Sequence, residues 1–167
     1  MGVKWKTKKN EFPKMETSIK QIDGKKVSVG VLGGGEQSWL AAIHEYGCTI
    51  KVTDKMRAYL HSTGLHLKPT TTHITIPERA FLRNGYDENK DDVLNKVENL
   101  VGDVIGGTLS ADQFMETIGL LLSGKIKDYA TELNSPPNHP YTVENKGSAN
   151  PLVDSGDMIG AISYKVE

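Results

Sequence analysis

The sequence predicts an α+β fold: a small, mostly antiparallel sheet packed against an antiparallel pair of amphipathic helices, with long partner-binding loops. Three observations carry that expectation. Segments with a two-residue apolar period lie toward both ends of the chain, at KKVSVGVLGG (25–34) and AISYKVE (161–167). Two long segments in the second half carry a helical apolar period and are separated by a short glycine-containing turn. Residues 134–157, rich in Pro, Asn, Ser and Gly, carry neither period.

The chain opens with MGVKWKTKKNEFPK, five Lys against one Glu. Residues 1–24 therefore read as a basic N-terminal arm, and 25–167 as a single α+β domain. Lys4, Lys6, Lys8 and Lys9 are candidate contacts to DNA phosphates or to an acidic partner. In the first strand Val27, Val29 and Val31 alternate with Ser28, Gly30 and Leu32. Gly33–Gly35 ends it, because glycine is entropically unfavourable inside a strand. Ser38 is placed to cap a short helix, SWLAAIHEYG, with Gly47 as its stop. CTIKVT (48–53) reads as a strand. DKMRAYLHST (54–63) reads as a short helix with Asp54 as cap and Gly64 as stop. THITI (72–76) reads as a strand ended by Pro77.

From Tyr86 to Ile105, Val93, Leu94, Val97, Leu100, Val101, Val104 and Ile105 share one helix face, and Gly106–Gly107 ends it. Ser110-x-x-Gln113 has the capping-box form. Phe114, Ile118, Leu121, Leu122, Ile126 and Tyr129 then line a second helix. The final segment, with Ile162, Tyr164 and Val166 alternating, returns to the sheet as a terminal strand.

Bulk properties bound the function. A chain of 167 residues suits one domain with a real core. A net charge of −1 makes no global case for nucleic-acid binding. No apolar run approaches the roughly 20 residues that span a bilayer, no signal peptide is evident, and no membrane partner is expected. Cys48 is the lone cysteine, so no internal disulfide forms, and the expected site of synthesis and assembly is the cytoplasm.

Four motifs invite catalytic readings. His44–Glu45 resembles half of the zincin signature H-E-x-x-H, which needs a second His one helical turn on. Gly47 stops the helix first, and Cys48 stands in the second position, so a helix end is the preferred reading. A zinc-dependent hydrolase using His44, Glu45 and a distant His remains the alternative. His61, His66, His73 and His139 have no metal-ligand spacing. The run GVLGGGEQS lacks the Lys–Ser/Thr of a phosphate loop. Asp154–Ser155–Gly156 matches half of an aspartic-protease pair, and a cap on a turn is the simpler account. No catalytic residue, cofactor or metal is assigned.

Three motifs stand in order: IHEYG (43–47), IPERAFLR (76–83) and NPLVDSGDMIGAISYKV (150–166). Together they resemble a family of tailed-bacteriophage neck, tail-completion and virion-morphogenesis proteins. The family shows a His–Glu–aromatic–Gly turn, an Ile-Pro-x-Arg-x-Phe segment and a Leu-x-Asp-Ser/Thr-Gly-x-Leu run before a last strand. The resemblance covers roughly residues 27–166. This chain departs from it at Ala80, where the family usually has Pro, and at Asp157–Met158. Its insert at 48–75 is not common to all members.

The resemblance implies a structural virion protein and no reaction. It implies a head–tail joining or tail-completion subunit, in the neck or at the tail end, assembled in the host cytoplasm. The implied partners are further copies of itself in a hexameric ring, connector or head-closure proteins, tail-tube or tail-terminator proteins, and transiently DNA in the lumen. The implied structural motif residues are His44, Glu45, Gly47, Pro77, Arg79, Phe81, Asp154, Ser155 and Gly156. Phe81 is expected to anchor a turn in the core, and Arg79 to bridge to a carboxylate, with Glu45 as the candidate. A small DNA-binding module using the N-terminal arm is a further alternative.

Overall fold

The computed structural model describes residues 12–167, so Lys4, Lys6, Lys8 and Lys9 lie outside the described residues. In chain order the elements are α1 (Phe12–Ile22), β1 (Val27–Val31), α2 (Gly35–Tyr46), β2 (Cys48–Lys51), α3 (Asp54–Ser62), β3 (His73–Ile76), α4 (Phe81–Gly106), α5 (Ala111–Glu132), α6 (Pro140–Lys146), α7 (Asp157–Gly160) and β4 (Ile162–Val166). The fold is α+β.

The α4–α5 hairpin is its spine. Gly107, at φ 72°, ends α4 in the left-handed conformation, which glycine adopts without a Cβ penalty. The capping box then starts α5: Gln113 N donates to Ser110 Oγ at 3.1 Å and Ser110 N donates to Gln113 Oε1 at 3.0 Å. The helices run antiparallel. Early Gly85 lies against late Ile126, and late Val104 packs with early Phe114 and Met115.

β1 and β4 form an antiparallel ladder from Val27↔Val166 to Val31↔Ile162, and it lies on α5. Gly119 of α5 faces the Tyr164 ring so closely that a Cβ there would collide with it. β2 and β3 form a second antiparallel ladder, from Cys48↔Ile76 to Lys51↔His73. The expected single sheet is thus two separate two-stranded ladders. Gly47, at φ 71°, turns the chain away from the body between α2 and β2.

Residues 48–75 stand out as an arm. Beyond the pairing of β2 with β3, none of its elements packs extensively on another. It is held largely by its own bonds: Arg57 Nη1 donates to Lys68 O at 2.9 Å, and Arg57 Nη2 donates to Thr71 O at 2.7 Å. Tyr141 Oη reaches it from α6, 2.8 Å from Thr63 Oγ1.

Several local expectations are corrected. Phe12–Ile22, placed in the basic arm, form a helix on α4 and α5. Met15, Ser18 and Ile22, at helical spacing, are its half-buried side. α2 starts at Gly35, before Ser38, whose hydroxyl donates to Val31 O at 3.0 Å. The cap of α3 is Thr53, one residue before Asp54. α4 starts at Phe81, five residues before Tyr86. The long segment 134–157 contains α6, with Pro140 in its first turn.

Phe81 and Ile162 are the largest fully buried side chains. They sit in one core with Ala41, Ile126, Ala130, Leu152, Met158 and Ile159, so α2, α4, α5, α7 and β4 all depend on it. Replacing Phe81 with Ala is expected to cost about 3–5 kcal/mol in urea denaturation. A loss under about 1 kcal/mol would mean that the site collapses around the missing ring.

Candidate functional site

The residues singled out by their chemistry meet where α2 ends and α4 begins. Gly47 closes α2 for two physical reasons. Its φ of 71° is left-handed, and a Cβ there would stand 2.9 Å from Glu78 N and 3.0 Å from Ile76 O. β3 ends at Ile76, and Pro77 follows it. The strand exit and the helix end are therefore in backbone contact.

His44 and Glu45 are consecutive in the last turn of α2, so their side chains diverge by about 100°. Glu45 is only 3% exposed and faces the start of α4. Its Oε2 accepts from Leu82 N at 2.8 Å. Its Oε1 accepts from Arg83 N at 3.2 Å and from Arg83 Nε at 2.8 Å. Arg83 Nη2 also donates to Glu45 O at 2.9 Å and to Glu78 Oε1 at 2.6 Å. Its guanidinium lies over the Tyr46 ring, 5.1 Å from the centroid. The hydrogen bond to Glu45 is the main cause that raises the Arg83 pKa above its ordinary value.

The N-cap residue of α4, Ala80, has no side-chain acceptor. Glu45 supplies that acceptor from another helix, and its charge sits at the positive end of the α4 dipole. The expected Glu45–Arg79 tie is replaced by Glu45–Arg83. The reason is Ala80, in the left-handed conformation at φ 45°, ψ 39°. The reversal there separates the directions of Arg79 and Arg83.

Arg79 faces His44 and the loop before α6. Its backbone N donates to His44 O at 2.8 Å. Its Nη1 donates to His44 Nδ1 at 2.8 Å, Nε to Pro136 O at 3.2 Å and Nη2 to Asn138 Oδ1 at 2.9 Å. A guanidinium has no acceptor, so His44 Nδ1 accepts and its proton is on Nε2. Burial, then the charges of Arg79 and Lys146, lower the His44 pKa to about 4. Asn138 Nδ2 continues to Pro151 O at 3.5 Å. Lys146 Nζ donates to Asn150 O at 2.8 Å.

Asp154, Ser155 and Gly156 lie apart from this corner, in the turn before α7. Ser155 Oγ donates to Asp157 Oδ2 at 2.6 Å and receives Asp157 N at 3.4 Å. Gly156, at φ 90°, leads into the helix. Among the described residues no group of three or more His, Cys, Asp or Glu side chains is placed to hold a metal ion. Arg83, Asn138 and Lys146 are residues of this corner that the sequence motifs do not single out. The signal for Arg83 was its place one helical turn after Arg79 within IPERAFLR.

Comparison of the chain with protein-family models, curated proteins and solved structures returned no match.

Two outcomes follow from this geometry. Glu45→Ala is expected to cost about 2–4 kcal/mol, because it leaves buried donors of α4 unpaired. In double-mutant cycles by urea denaturation, Glu45 couples to Arg83 more strongly than to Arg79; equal coupling would contradict the observed partners. For His44 the folded pKa lies below the unfolded value of 6.5. The unfolded chain binds that proton first, so this contribution is complete above pH 6.5 and declines as pH falls toward 4. Its size is at most about 3 kcal/mol, less after solvent screening. A His44→Asn variant should show a shallower loss of stability over that window, measured against the parent chain.

Proposed function

We propose that the chain is a structural virion protein of a tailed phage or phage-tail-like particle. It acts in the neck or at the tail end as one subunit of a homo-oligomeric ring that joins head to tail or completes the tail, and it has no reaction of its own. The observation that carries this reading is the meeting of the first two ordered motifs at one corner, to which the start of the third is linked. IHEYG and IPERAFLR are bound to each other through Glu45, Leu82 and Arg83. IPERAFLR is linked to the start of the third motif through Arg79, Asn138 and Pro151. His44, Glu45, Gly47, Pro77, Arg79 and Phe81 thus belong to one structural corner, while Asp154, Ser155 and Gly156 lie in the turn before α7.

Two further features support a ring subunit. The arm at 48–75 leaves the body directly at this corner, where it is free to lie against a neighbouring copy. Trp39 and Tyr46, two helical turns apart on α2, are 66% and 67% exposed. Large exposed aromatic side chains are the kind that anchor protein interfaces. A head-to-tail contact that closes by rotation gives a ring. Sixfold closure, the connector and tail-tube partners, and phosphate contacts from Lys4, Lys6, Lys8 and Lys9 in the lumen complete the proposal.

The test uses particles made by the replicon that encodes the chain. Immunogold labelling is expected at the neck or tail end, and deleting the coding sequence is expected to leave heads and tails unjoined or tails incomplete. Normal, infectious particles from the deletion strain would overturn the proposal. Stoichiometric zinc in the untagged protein, with activity lost on its removal, would favour the hydrolase alternative.

A further inference from the structure

Arg79 is 4% exposed, and its guanidinium meets no carboxylate among the described residues. Its partners are an imidazole nitrogen, a peptide oxygen and an amide oxygen. Those bonds use three of the five N–H groups of a guanidinium, which leaves one N–H on each terminal nitrogen with no acceptor among the described residues. A buried charge is costly unless a charge of opposite sign meets it. The carbonyl end of α2 offsets only about half a charge. Lys146 adds to the positive field, and Asp154 acts on Lys146.

Arg79 lines a cavity of about 220 Å³ with His44, Asn138, His139, Thr142 and Pro77 among its walls. No acidic residue lines it. The polar wall is rich in donors. His44 carries its proton on Nε2, since Nδ1 receives Arg79. His139 Nδ1 accepts from Tyr141 N at 3.3 Å, so its proton too is on Nε2. Thr142 brings a hydroxyl. The volume holds several waters but falls below the roughly 300–1,000 Å³ of pockets for larger organic ligands.

The geometry points to a binding site for one small oxyanion, of phosphate or carboxylate type, seated on the free donors of Arg79 in this cavity. The oxyanion supplies the counter-charge that the fold itself withholds. It would also lock the 134–139 loop to the end of α2, because Arg79 already joins both. The inference does not depend on the ring proposal, since binding can be read on whichever form the protein takes.

Inorganic phosphate, titrated into the full chain at neutral pH and read by calorimetry and thermal denaturation, tests it. Saturable binding with one site and a rising melting temperature are expected. Arg79→Gln should weaken binding about tenfold or more. Because that variant also loses loop contacts, Thr142→Glu serves as the second variant. It sets a carboxylate in the cavity wall, and the folded variant should no longer respond to phosphate. Sedimentation in the same titration separates the sources of the oxyanion. Assemblies dispersed by phosphate place a neighbouring chain's carboxylate in the cavity, and a state left unchanged places free phosphate there. No saturable binding to the parent chain, or binding to both variants as tight as to the parent, would overturn the site.

Discussion

Burying a carboxylate is costly unless donors meet its oxygens and a cationic side chain lies beside it. Glu45 meets both conditions at one place, the start of α4. Two backbone N–H groups that no local side chain could cap point at it, and Arg83 closes the pair. The interaction is mutual. Without Glu45 the first turn of α4 has no cap, and without that turn Glu45 has no reason to be buried. This fixes the end of α2 against the start of α4. Phe81, the first residue of α4, is thereby set in the core that α5, α7 and β4 share.

The opposite side of the corner shows the same logic with the sign reversed. Arg79 and Arg83 lie one helical turn apart in sequence, yet they serve different partners. Ala80 between them takes a left-handed conformation that costs an L-residue roughly 1–2 kcal/mol. Proline, held near φ of about −65°, could not adopt it. The strain is offset by what the reversal permits: one arginine for the buried Glu45, the other for His44 and the loop before α6.

What was legible in the sequence was what neighbouring residues decide among themselves. The alternation of β1 and β4, the Ser110–Gln113 box, the glycine stops at Gly47 and Gly107 and most of the apolar faces of α4 and α5 follow from short-range periods and backbone freedom. Leu94 and Val101, expected on the buried face of α4, are instead exposed, at 55% and 40%. The start of α4 was not legible, because its cap comes from a residue 37 positions earlier in the chain. The helix at Phe12–Ile22 was hidden by the lysines before it. The division into two ladders was hidden because alternation reports a strand and not its partner. Within the corner, burial of an aromatic residue after Pro77 could be anticipated. The choice between two arginines for Glu45 could not, since it turns on the backbone conformation of Ala80.

The same geometry bears on what His44–Glu45 is for. As consecutive helical residues they face different groups, and each is engaged: Glu45 by backbone donors and Arg83, the imidazole by Arg79. Several directional bonds made by these two residues fix the relative orientation of α2, α4 and the loop before α6. The arm begins at Cys48, right after the pair and the left-handed Gly47, so the orientation they fix includes the direction in which the arm leaves the body. In the proposed ring that direction would decide which surface of a neighbouring copy the arm can meet. A corner held by several directional bonds, with the arm springing from it, suits that demand better than apolar packing alone, which tolerates sliding.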